Sequence, residues 1–292
     1  ECTALRQLSL NGNRLMGEIP VGIGKLENLV TLDLSRNQLS GKIPEEIGGL
    51  KQLKYLRMGT NRLTGDIPAA IGNLSLLECV DIPSNLLTGK IPDELMFLEH
   101  LEEVPADWSR LQTLRKLSLG HNRIDGEIPA SLGSVKTLQN ISLDNNLLRG
   151  AIPTTFGQLK ELWALVLSTN RLTGEIPGVL FTLPKLYRLE LSDNGLSGSL
   201  PAEIKEAVSC EVVQLNYLNL QNNRFSGSLP AEIGKMTGLT LLDLTSNRFS
   251  GPLPEGIGRL IDLRSLLLSE NEFSGELPET LGNLINLRNF YM

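Results

Sequence analysis

Two histidines and three cysteines are the residues of this sequence that could bind a metal ion or form disulfides. His100 and His121 are far apart in the chain, and neither lies near a cysteine or an acidic cluster at a metal-binding spacing. Cys2, Cys79 and Cys210 lack the close spacing of a disulfide-bonded cap, and an odd number leaves at least one thiol free. We therefore expect no metal site, no cofactor and no catalytic residues, and we favour three unpaired thiols.

One phrase, Asn-x-Leu-x-Gly-x-Ile-Pro, returns along the chain at a fixed spacing. Most of its asparagines follow one another in steps of 24 residues, at Asn13, Asn37, Asn61, Asn85, Asn122, Asn146, Asn170, Asn194, Asn223, Asn247 and Asn271. Two intervals are longer, with 37 residues from 85 to 122 and 29 from 194 to 223. Such a period predicts a solenoid in which each coil contacts its neighbours. We expect a single array over residues 1–292.

One repeat, residues 29–52, shows how the sequence builds a coil. Leu32 and the leucine two positions later alternate with polar residues, which predicts a half-buried strand with the leucines inside. Asn37 follows at the turn, where its amide can both donate to and accept from the backbone. Residues 45–50 resemble a brief helical turn on the opposite side. Cys2 stands where later repeats have leucine, so we expect it in the core.

The full consensus is Leu-x-x-Leu-x-Leu-x-x-Asn-x-Leu-x-Gly-x-Ile-Pro-x-x-Ile-Gly-x-Leu-x-x, and about eleven copies cover nearly the whole chain. It resembles the plant-type leucine-rich repeat, a subclass distinguished by Gly-x-Ile-Pro. The resemblance implies an α/β solenoid, a right-handed superhelix with a concave parallel sheet and a short second strand at Gly-x-Ile-Pro. The family includes ectodomains of plant receptor kinases and receptor-like proteins, and secreted polygalacturonase inhibitors. It implies binding of peptides, hormones, proteins or co-receptors without catalysis by the repeats.

The repeat is irregular at residues 101–113 and 204–214. The first segment matches the back half of a repeat whose strand and asparagine are missing. Either about eleven residues have been lost or one repeat carries a large convex insertion, and we favour the loss. The second segment contains five extra residues, and Ile204, Ala207 and Val208 share one helical face, which predicts a longer convex helix. A tolerated extension is favoured there over an insertion that determines specificity.

Partner contacts are expected on strand positions that point away from the core, on the concave face. Neighbours along a row of such positions are about 4.8 Å apart. The candidate contact residues are Asp33, Tyr55, Arg57, Asp81, Lys116, His121, Arg188, Glu190, Tyr217 and Asp243.

Charge and aromatic content distinguish these candidates from one another. Asp33, Arg57 and Asp81 alternate in charge along one row, and we favour their pairing within the molecule, which contributes little stability on a wet face. Arg188 and Glu190 also carry opposite charges and flank one strand, and we favour their pairing within the molecule too. The tyrosines on the rows are better evidence for binding, since tyrosine is frequent at binding hot spots.

Two sequons, Asn73-Leu-Ser75 and Asn140-Ile-Ser142, are candidate sites of N-glycosylation. Asn73 lies on the descending side of its repeat, where a glycan would be harmless. A glycan on Asn140 would block the concave face around it.

Charge and hydropathy exclude some classes of partner. The chain has 27 basic and 33 acidic residues, a net charge of −6 and a pI near 5.2, which argues against nucleic acid and anionic lipid as ligands. No run of 18 apolar residues is present, so we expect no membrane span within the sequence. Both ends fall in mid-repeat without polar terminal repeats, so the sequence reads as a fragment.

The leading hypothesis is a non-catalytic recognition module that binds a protein or peptide and resembles a plant receptor-like kinase ectodomain. It places the protein outside the cell or at the cell surface, with a co-receptor as a further partner. A secreted polygalacturonase-inhibitor-like protein and an intracellular scaffold subunit are the alternatives. Free thiols, few sequons and few concave aromatic residues suit the scaffold, and an enzyme is the least supported hypothesis.

Overall fold

The computed structural model describes most of the chain, namely residues 2, 4–92, 111–201, 204 and 215–292. The chain divides into two compact units, Glu1–Leu148 and Arg149–Met292. Both are built from the same coil, which contains a strand of a long sheet, a second short strand and a 3-10 helix. The expectation of a single array stays a prediction, as does the number of repeats.

The long sheet of the first unit consists of parallel three-residue strands that pair in chain order. These strands are Gln7–Ser9, Thr31–Asp33, Tyr55–Arg57, Cys79–Asp81, Lys116–Ser118 and Asn140–Ser142. The register places the middle residues in one column, so that Leu32 is opposite both Leu8 and Leu56. Leu32 and Leu56 are fully buried, which confirms the predicted half-buried strands.

The second unit repeats this arrangement, again with parallel strands in chain order. Its strands are Ala164–Val166, Arg188–Glu190, Tyr217–Asn219, Leu241–Asp243, Ser265–Leu267 and Asn289–Tyr291.

A second set of short parallel strands follows the asparagine of each coil. In the first unit they are Met16–Glu18, Gln38–Lys42, Arg62–Gly65 and Leu86–Leu87. In the second unit they are Arg149–Gly150, Arg171–Gly174, Gly195–Gly198, Arg224–Gly227, Arg248–Gly251 and Glu272–Phe273. Most of these strands reach the glycine of Gly-x-Ile-Pro, as the resemblance implied, and end before the Ile-Pro pair.

A five-residue 3-10 helix follows the proline in the described coils. These helices are Val21–Lys25, Glu45–Gly49, Ala69–Asn73, Ala130–Ser134, Thr154–Gln158, Gly178–Thr182, Ala231–Lys235, Glu255–Arg259 and Glu279–Asn283. Glycine allows successive helices to stack closely, because a Cβ on Gly24 would collide with the carbonyl oxygen of Glu46. None of the helices formed by the described residues is long and apolar enough to cross a bilayer.

The predicted asparagine column is present and joins successive coils. The Asn85 side chain accepts a hydrogen bond from the backbone N–H of Leu63 at 3.0 Å and donates to the carbonyl of Met58 at 3.1 Å. Both partners belong to the preceding coil. A buried amide can satisfy the backbone in this way because it carries a donor and an acceptor.

The residue before each column asparagine has a left-handed backbone, which turns the chain out of the long sheet. These residues are Gly12, with φ of 71°, and, with φ between 53° and 58°, Arg36, Thr60, Ser84, His121, Asn145, Thr169, Asp193, Asn222, Ser246 and Glu270. Side chains other than glycine, asparagine and aspartate rarely adopt this conformation, so the turn imposes strain at several positions.

The core consists of stacked aliphatic residues with a column of aromatic rings in the second unit. The rings of Phe225 and Phe249 stack with centroids 6.1 Å apart, and those of Phe249 and Phe273 with centroids 6.3 Å apart. The expectation that Cys2 lies in the core is wrong, since Cys2 is exposed. It belongs to the outermost coil, which has a neighbouring coil on one side.

At each of the two longer intervals, the strands of the long sheet before and after the extra residues are direct neighbours. Cys79–Asp81 pairs directly with Lys116–Ser118, and Arg188–Glu190 pairs directly with Tyr217–Asn219. The predicted half-repeat at 101–113 and the predicted longer helix at 204–214 lie largely outside the described residues.

Candidate functional site

The candidate site is the sheet face, which we define as the first and third residue of each strand of the long sheet. In the first unit these are Gln7, Ser9, Thr31, Asp33, Tyr55, Arg57, Cys79, Asp81, Lys116, Ser118, Asn140 and Ser142. In the second unit they are Ala164, Val166, Arg188, Glu190, Tyr217, Asn219, Leu241, Asp243, Ser265, Leu267, Asn289 and Tyr291. The scaffold requires the middle residue of each strand, so these two rows are free to carry specificity.

Arg57 and Tyr55 form a pair on one strand of the first unit. The guanidinium carbon of Arg57 lies over the Tyr55 ring, 5.5 Å from its centroid, in a cation–π contact. Among the described residues no carboxylate forms an ion pair with Arg57. The sheet face therefore presents a guanidinium that is held in place without an ion-pair partner, between Asp33 and Asp81 of the neighbouring strands.

Glu78 holds the Tyr55 ring and a lysine in position. Its carboxylate accepts a hydrogen bond from the Tyr55 hydroxyl at 3.1 Å and pairs with the Lys54 ammonium at 3.0 Å. The hydrogen bond from Lys54 lowers the pKa of Glu78, and the same bond raises the pKa of Lys54. Tyr55 is thus fixed at its hydroxyl, which orients the ring below Arg57.

The predicted pairing of Asp33, Arg57 and Asp81 with one another is wrong. Asp81 instead pairs with Lys116 of the next strand, 3.0 Å away. The Asp33 carboxylate turns back to its own chain and accepts hydrogen bonds from the backbone N–H and hydroxyl of Ser35, at 3.1 and 2.5 Å. Asp81 and Asp33 thus bind groups other than Arg57. The partner of Asp81 is a lysine of the next strand, and the partner of Asp33 is a serine two residues along its own chain.

Cys79 lies on the first row of the sheet face but is 8% exposed, so the outward position does not make it accessible. Burial raises the pKa of the Cys79 thiol, and the nearby cations Lys116 and Arg57 only partly oppose that effect. A thiol that is buried and protonated is a poor nucleophile.

His121 lies at the turn beyond the sheet face rather than on a strand. Its Nε2 atom is 3.3 Å from the Asp144 carboxylate of the next coil, and 59% of its side chain is exposed. The same carboxylate accepts a hydrogen bond from the Ser142 hydroxyl at 2.6 Å. His121 is therefore exposed at the rim of the face, and its contact with a partner stays a prediction.

Arg188, Glu190 and Tyr217 come together in the second unit. Arg188 forms an ion pair with Glu190 on its own strand, and its guanidinium lies 5.0 Å from the Tyr217 ring centroid on the next strand. Burial and then the Glu190 charge raise the pKa of Tyr217. This Arg–Tyr pair resembles that of the first unit, but here a carboxylate neutralises the arginine.

Asp243 does not offer its charge to a partner in the way that was expected. It is 7% exposed, and its carboxylate accepts a hydrogen bond from the Thr245 backbone at 3.0 Å. Like Asp33, it closes the turn after its strand, because a carboxylate two residues before a backbone N–H can form a local turn.

Two groups of exposed residues were missed by the sequence analysis. One is the left-handed residue before each column asparagine, a group of which the sequence analysis named His121 alone, since most of these side chains are exposed beside the sheet face. The other is an aromatic pair on the residue that precedes the strand, Trp163 and Tyr187, which are 45% and 46% exposed. A comparison of the same position in successive repeats would have found both, but the rows considered were those of the strand itself.

The two sequons differ in their setting. Asn73 ends a 3-10 helix and is exposed, whereas Asn140 begins a strand of the sheet face and is half-buried. Glycosylation at either position stays a prediction. Within the described ranges, no group of three or more histidine, cysteine or acidic residues could hold a metal ion.

Models of leucine-rich repeats match almost the whole chain. A leucine-rich repeat region matches residues 1–112 and a leucine rich repeat model matches residues 136–196. A single-repeat model matches residues 113–135, 214–236, 238–260 and 262–284. The chain belongs to the leucine-rich repeat family, and its consensus is that of the plant type. A comparison with curated protein sequences returned no match.

Solved structures of plant receptors are similar to this chain. A TDR receptor has a TM-score of 0.89 and 32% identity, with 99% of this chain and 47% of that chain covered. The leucine-rich-repeat ectodomain of the Arabidopsis thaliana membrane receptor kinase GASSHO1/SCHENGEN3, in complex with CASPARIAN STRIP INTEGRITY FACTOR 2, has a TM-score of 0.80 and 35% identity, with coverages of 99% and 35%. The plant peptide hormone receptor RGFR1, in complex with RGF2, has a TM-score of 0.74 and 34% identity, with coverages of 100% and 51%.

The chain spans about half the length of the first and third of these structures and about a third of the second. The resemblance to receptor ectodomains thus covers this whole chain but part of each receptor.

Proposed function

We propose that this chain is a non-catalytic recognition module whose sheet face binds a peptide segment, either free or exposed on a protein. The observation that carries the proposal is the guanidinium of Arg57, held over Tyr55 on the outward side of the sheet without an ion-pair partner among the described residues. Tyrosine and arginine are the residue types enriched at binding hot spots. Neither is needed by the coil, since the buried middle residues of the strands hold the sheet together.

The chemistry of the face favours a ligand with an acidic group. Nearby Lys54 and Lys116 already pair with Glu78 and Asp81, whereas Arg57 has no such partner among the described residues. A guanidinium can hold a carboxylate by two parallel hydrogen bonds. A carboxylate on the ligand would therefore complete the network without displacing an existing ion pair.

The similar structures support a ligand-binding role. RGFR1 is a peptide hormone receptor and GASSHO1/SCHENGEN3 is a membrane receptor kinase crystallised as its ectodomain. By this likeness we propose that the present chain is part of a receptor-like ectodomain, outside the cell or at its surface, where a co-receptor would be a further partner. The absence of catalysis by the repeats is part of the same proposal.

Photo-crosslinking to selected peptides tests where a ligand binds. A phage-displayed library of random peptides would be selected on the immobilised chain, and the enriched peptides synthesised with a benzophenone group. We expect crosslinks, mapped by mass spectrometry, on sheet-face residues around Tyr55 and Arg57. Crosslinks confined to the 3-10 helices such as Glu45–Gly49, or a failure to enrich any peptide, would contradict the proposal.

A further inference from the structure

Trp163 and Tyr187 form an exposed aromatic pair that the scaffold does not require. They precede strands of adjacent coils in the second unit, and the Tyr187 backbone N–H donates to the Trp163 carbonyl at 2.9 Å. Most other exposed large apolar residues belong to the outermost described coils, where one neighbouring coil covers them; these are Leu10, Leu15, Met16, Val21, Leu277, Ile285, Tyr291 and Met292. Trp163 and Tyr187 have a coil on either side, so their exposure has a different cause.

Both side chains have a hydrogen-bond donor that no described residue accepts. Within the part of the chain that the structure describes, neither the Trp163 indole N–H nor the Tyr187 hydroxyl donates to a protein acceptor, and the two rings do not stack on each other. Buried aromatic donors normally find a partner, and exposed ones are available to a ligand. The pair therefore offers two ring faces and two donors.

Two ion pairs flank the aromatic pair. Glu161 and Lys185, two residues before Trp163 and Tyr187, form an ion pair at 2.6 Å. Arg188, the next residue after Tyr187, is paired with Glu190. These four charged groups are already paired, which distinguishes them from Arg57 in the first unit.

We propose that Trp163 and Tyr187 form a docking site for an uncharged, proline-rich peptide segment. Proline carbonyls accept hydrogen bonds, while proline has no backbone N–H that would be left without an acceptor. Polyproline segments dock on exposed aromatic side chains at low entropic cost, because their conformation is already formed.

Trp163 itself can report the binding. The chain has two tryptophans, so Trp108→Phe leaves Trp163 as the single indole fluorophore. Decaproline, acetylated and amidated at its ends, would be titrated into this full-length variant after its thermal melt is matched to the parent. We expect a saturable change in Trp163 emission. A capped Gly-Ser decapeptide should give no such change.

Substitutions at Tyr187 distinguish specific docking from non-specific binding of the peptide. Tyr187→Phe keeps the ring but removes the donor, and we expect affinity for decaproline to fall by about three- to tenfold. Tyr187→Ala should lower it more than tenfold. Ile261→Ala is the control, because Ile261 is a 49% exposed apolar residue of the same unit outside both the proposed site and the sheet face, and it should leave the affinity unchanged.

Several outcomes would overturn the proposal. They are an absence of saturable binding at millimolar peptide, an equal response to the Gly-Ser peptide, or an unchanged affinity in Tyr187→Ala. Saturable binding of cellohexaose instead of decaproline would identify a carbohydrate platform and also reject the proline-rich ligand. The site is independent of the sheet-face ligand, so either proposal can fail without the other.

Discussion

Arg57 and Arg188 both lie over a tyrosine ring, but they differ in their carboxylate partners. Arg188 is paired with Glu190, whereas Arg57, 5.5 Å from the Tyr55 centroid, has no ion-pair partner among the described residues. The same local arrangement therefore holds a paired arginine in the second unit and an arginine without an ion-pair partner in the first. This difference makes Arg57 the residue on which ligand binding is expected to depend most.

The asparagine column should contribute strongly to stability. Asn85→Ala removes the acceptor of the buried Leu63 N–H, whereas the Met58 carbonyl keeps its hydrogen bond from Asn61. We expect a loss of about 1–3 kcal/mol, the cost of one unsatisfied buried group. Urea unfolding followed by circular dichroism measures it.

Asn13 is the control for that substitution. It occupies the same position in the outermost coil and is exposed, where water can replace its hydrogen bond to Leu10. An Asn13→Ala variant as unstable as Asn85→Ala would contradict the account of the column.

Relief of backbone strain should stabilise the protein. Thr60 is a β-branched residue with φ of 58°, a conformation that asparagine adopts more readily. We expect Thr60→Asn to raise the free energy of unfolding by about 0.5–1 kcal/mol. The same change at Thr64, an exposed residue of the strand Arg62–Gly65, should be neutral or unfavourable, and a gain there as large would show that strain is not the cause.

The thiols should react at different rates. Cys2 is exposed, whereas Cys79 is buried and burial raises the pKa of its thiol. In the native protein we expect iodoacetamide to label Cys2 rapidly and Cys79 slowly, with Cys79 becoming reactive in urea. Peptide mapping by mass spectrometry follows each thiol, and equal native rates would contradict the buried position of Cys79.

The Glu78 network should make stability depend on pH in the acid range. The hydrogen bond from Lys54 lowers the pKa of Glu78 below the ordinary value of 4.5. A lowered folded-state pKa adds stability above 4.5 and loses it as the pH falls through the folded value. The urea midpoint of Glu78→Gln should therefore lie below that of the parent at pH 7, and the gap should close at lower pH. A gap that stays constant would show that Glu78 acts through packing alone.

Much of the fold could be predicted because each position of the repeat occurs many times in the sequence. Leu32, Asn37 and the helix Glu45–Gly49 have equivalents in successive coils, so the repeat period and the residue type together identify their structural roles. The left-handed residue before the asparagine was missed, because residues as different as Thr60 and Glu270 occupy it and leave no type to recognise.

The site was less predictable, because row position does not determine where a side chain turns. Asp33 and Asp243 were expected to point to a partner, yet both accept hydrogen bonds from the turn that follows. Cys79 occupies an outward position and is buried among longer neighbours. Such choices depend on side chains from adjacent coils, which periodicity alone does not describe.

The most direct test of the central claim compares two arginines of one coil. A peptide selected on the parent protein would be titrated by calorimetry into Arg57→Ala and Arg62→Ala, where Arg62 is exposed on the second strand, away from the sheet face. We predict that Arg57→Ala weakens binding about tenfold or more, the loss typical of a hot-spot arginine, while Arg62→Ala stays within about twofold of the parent. Equal affinities of Arg57→Ala and the parent, or equal losses in both variants, would contradict binding on the sheet face.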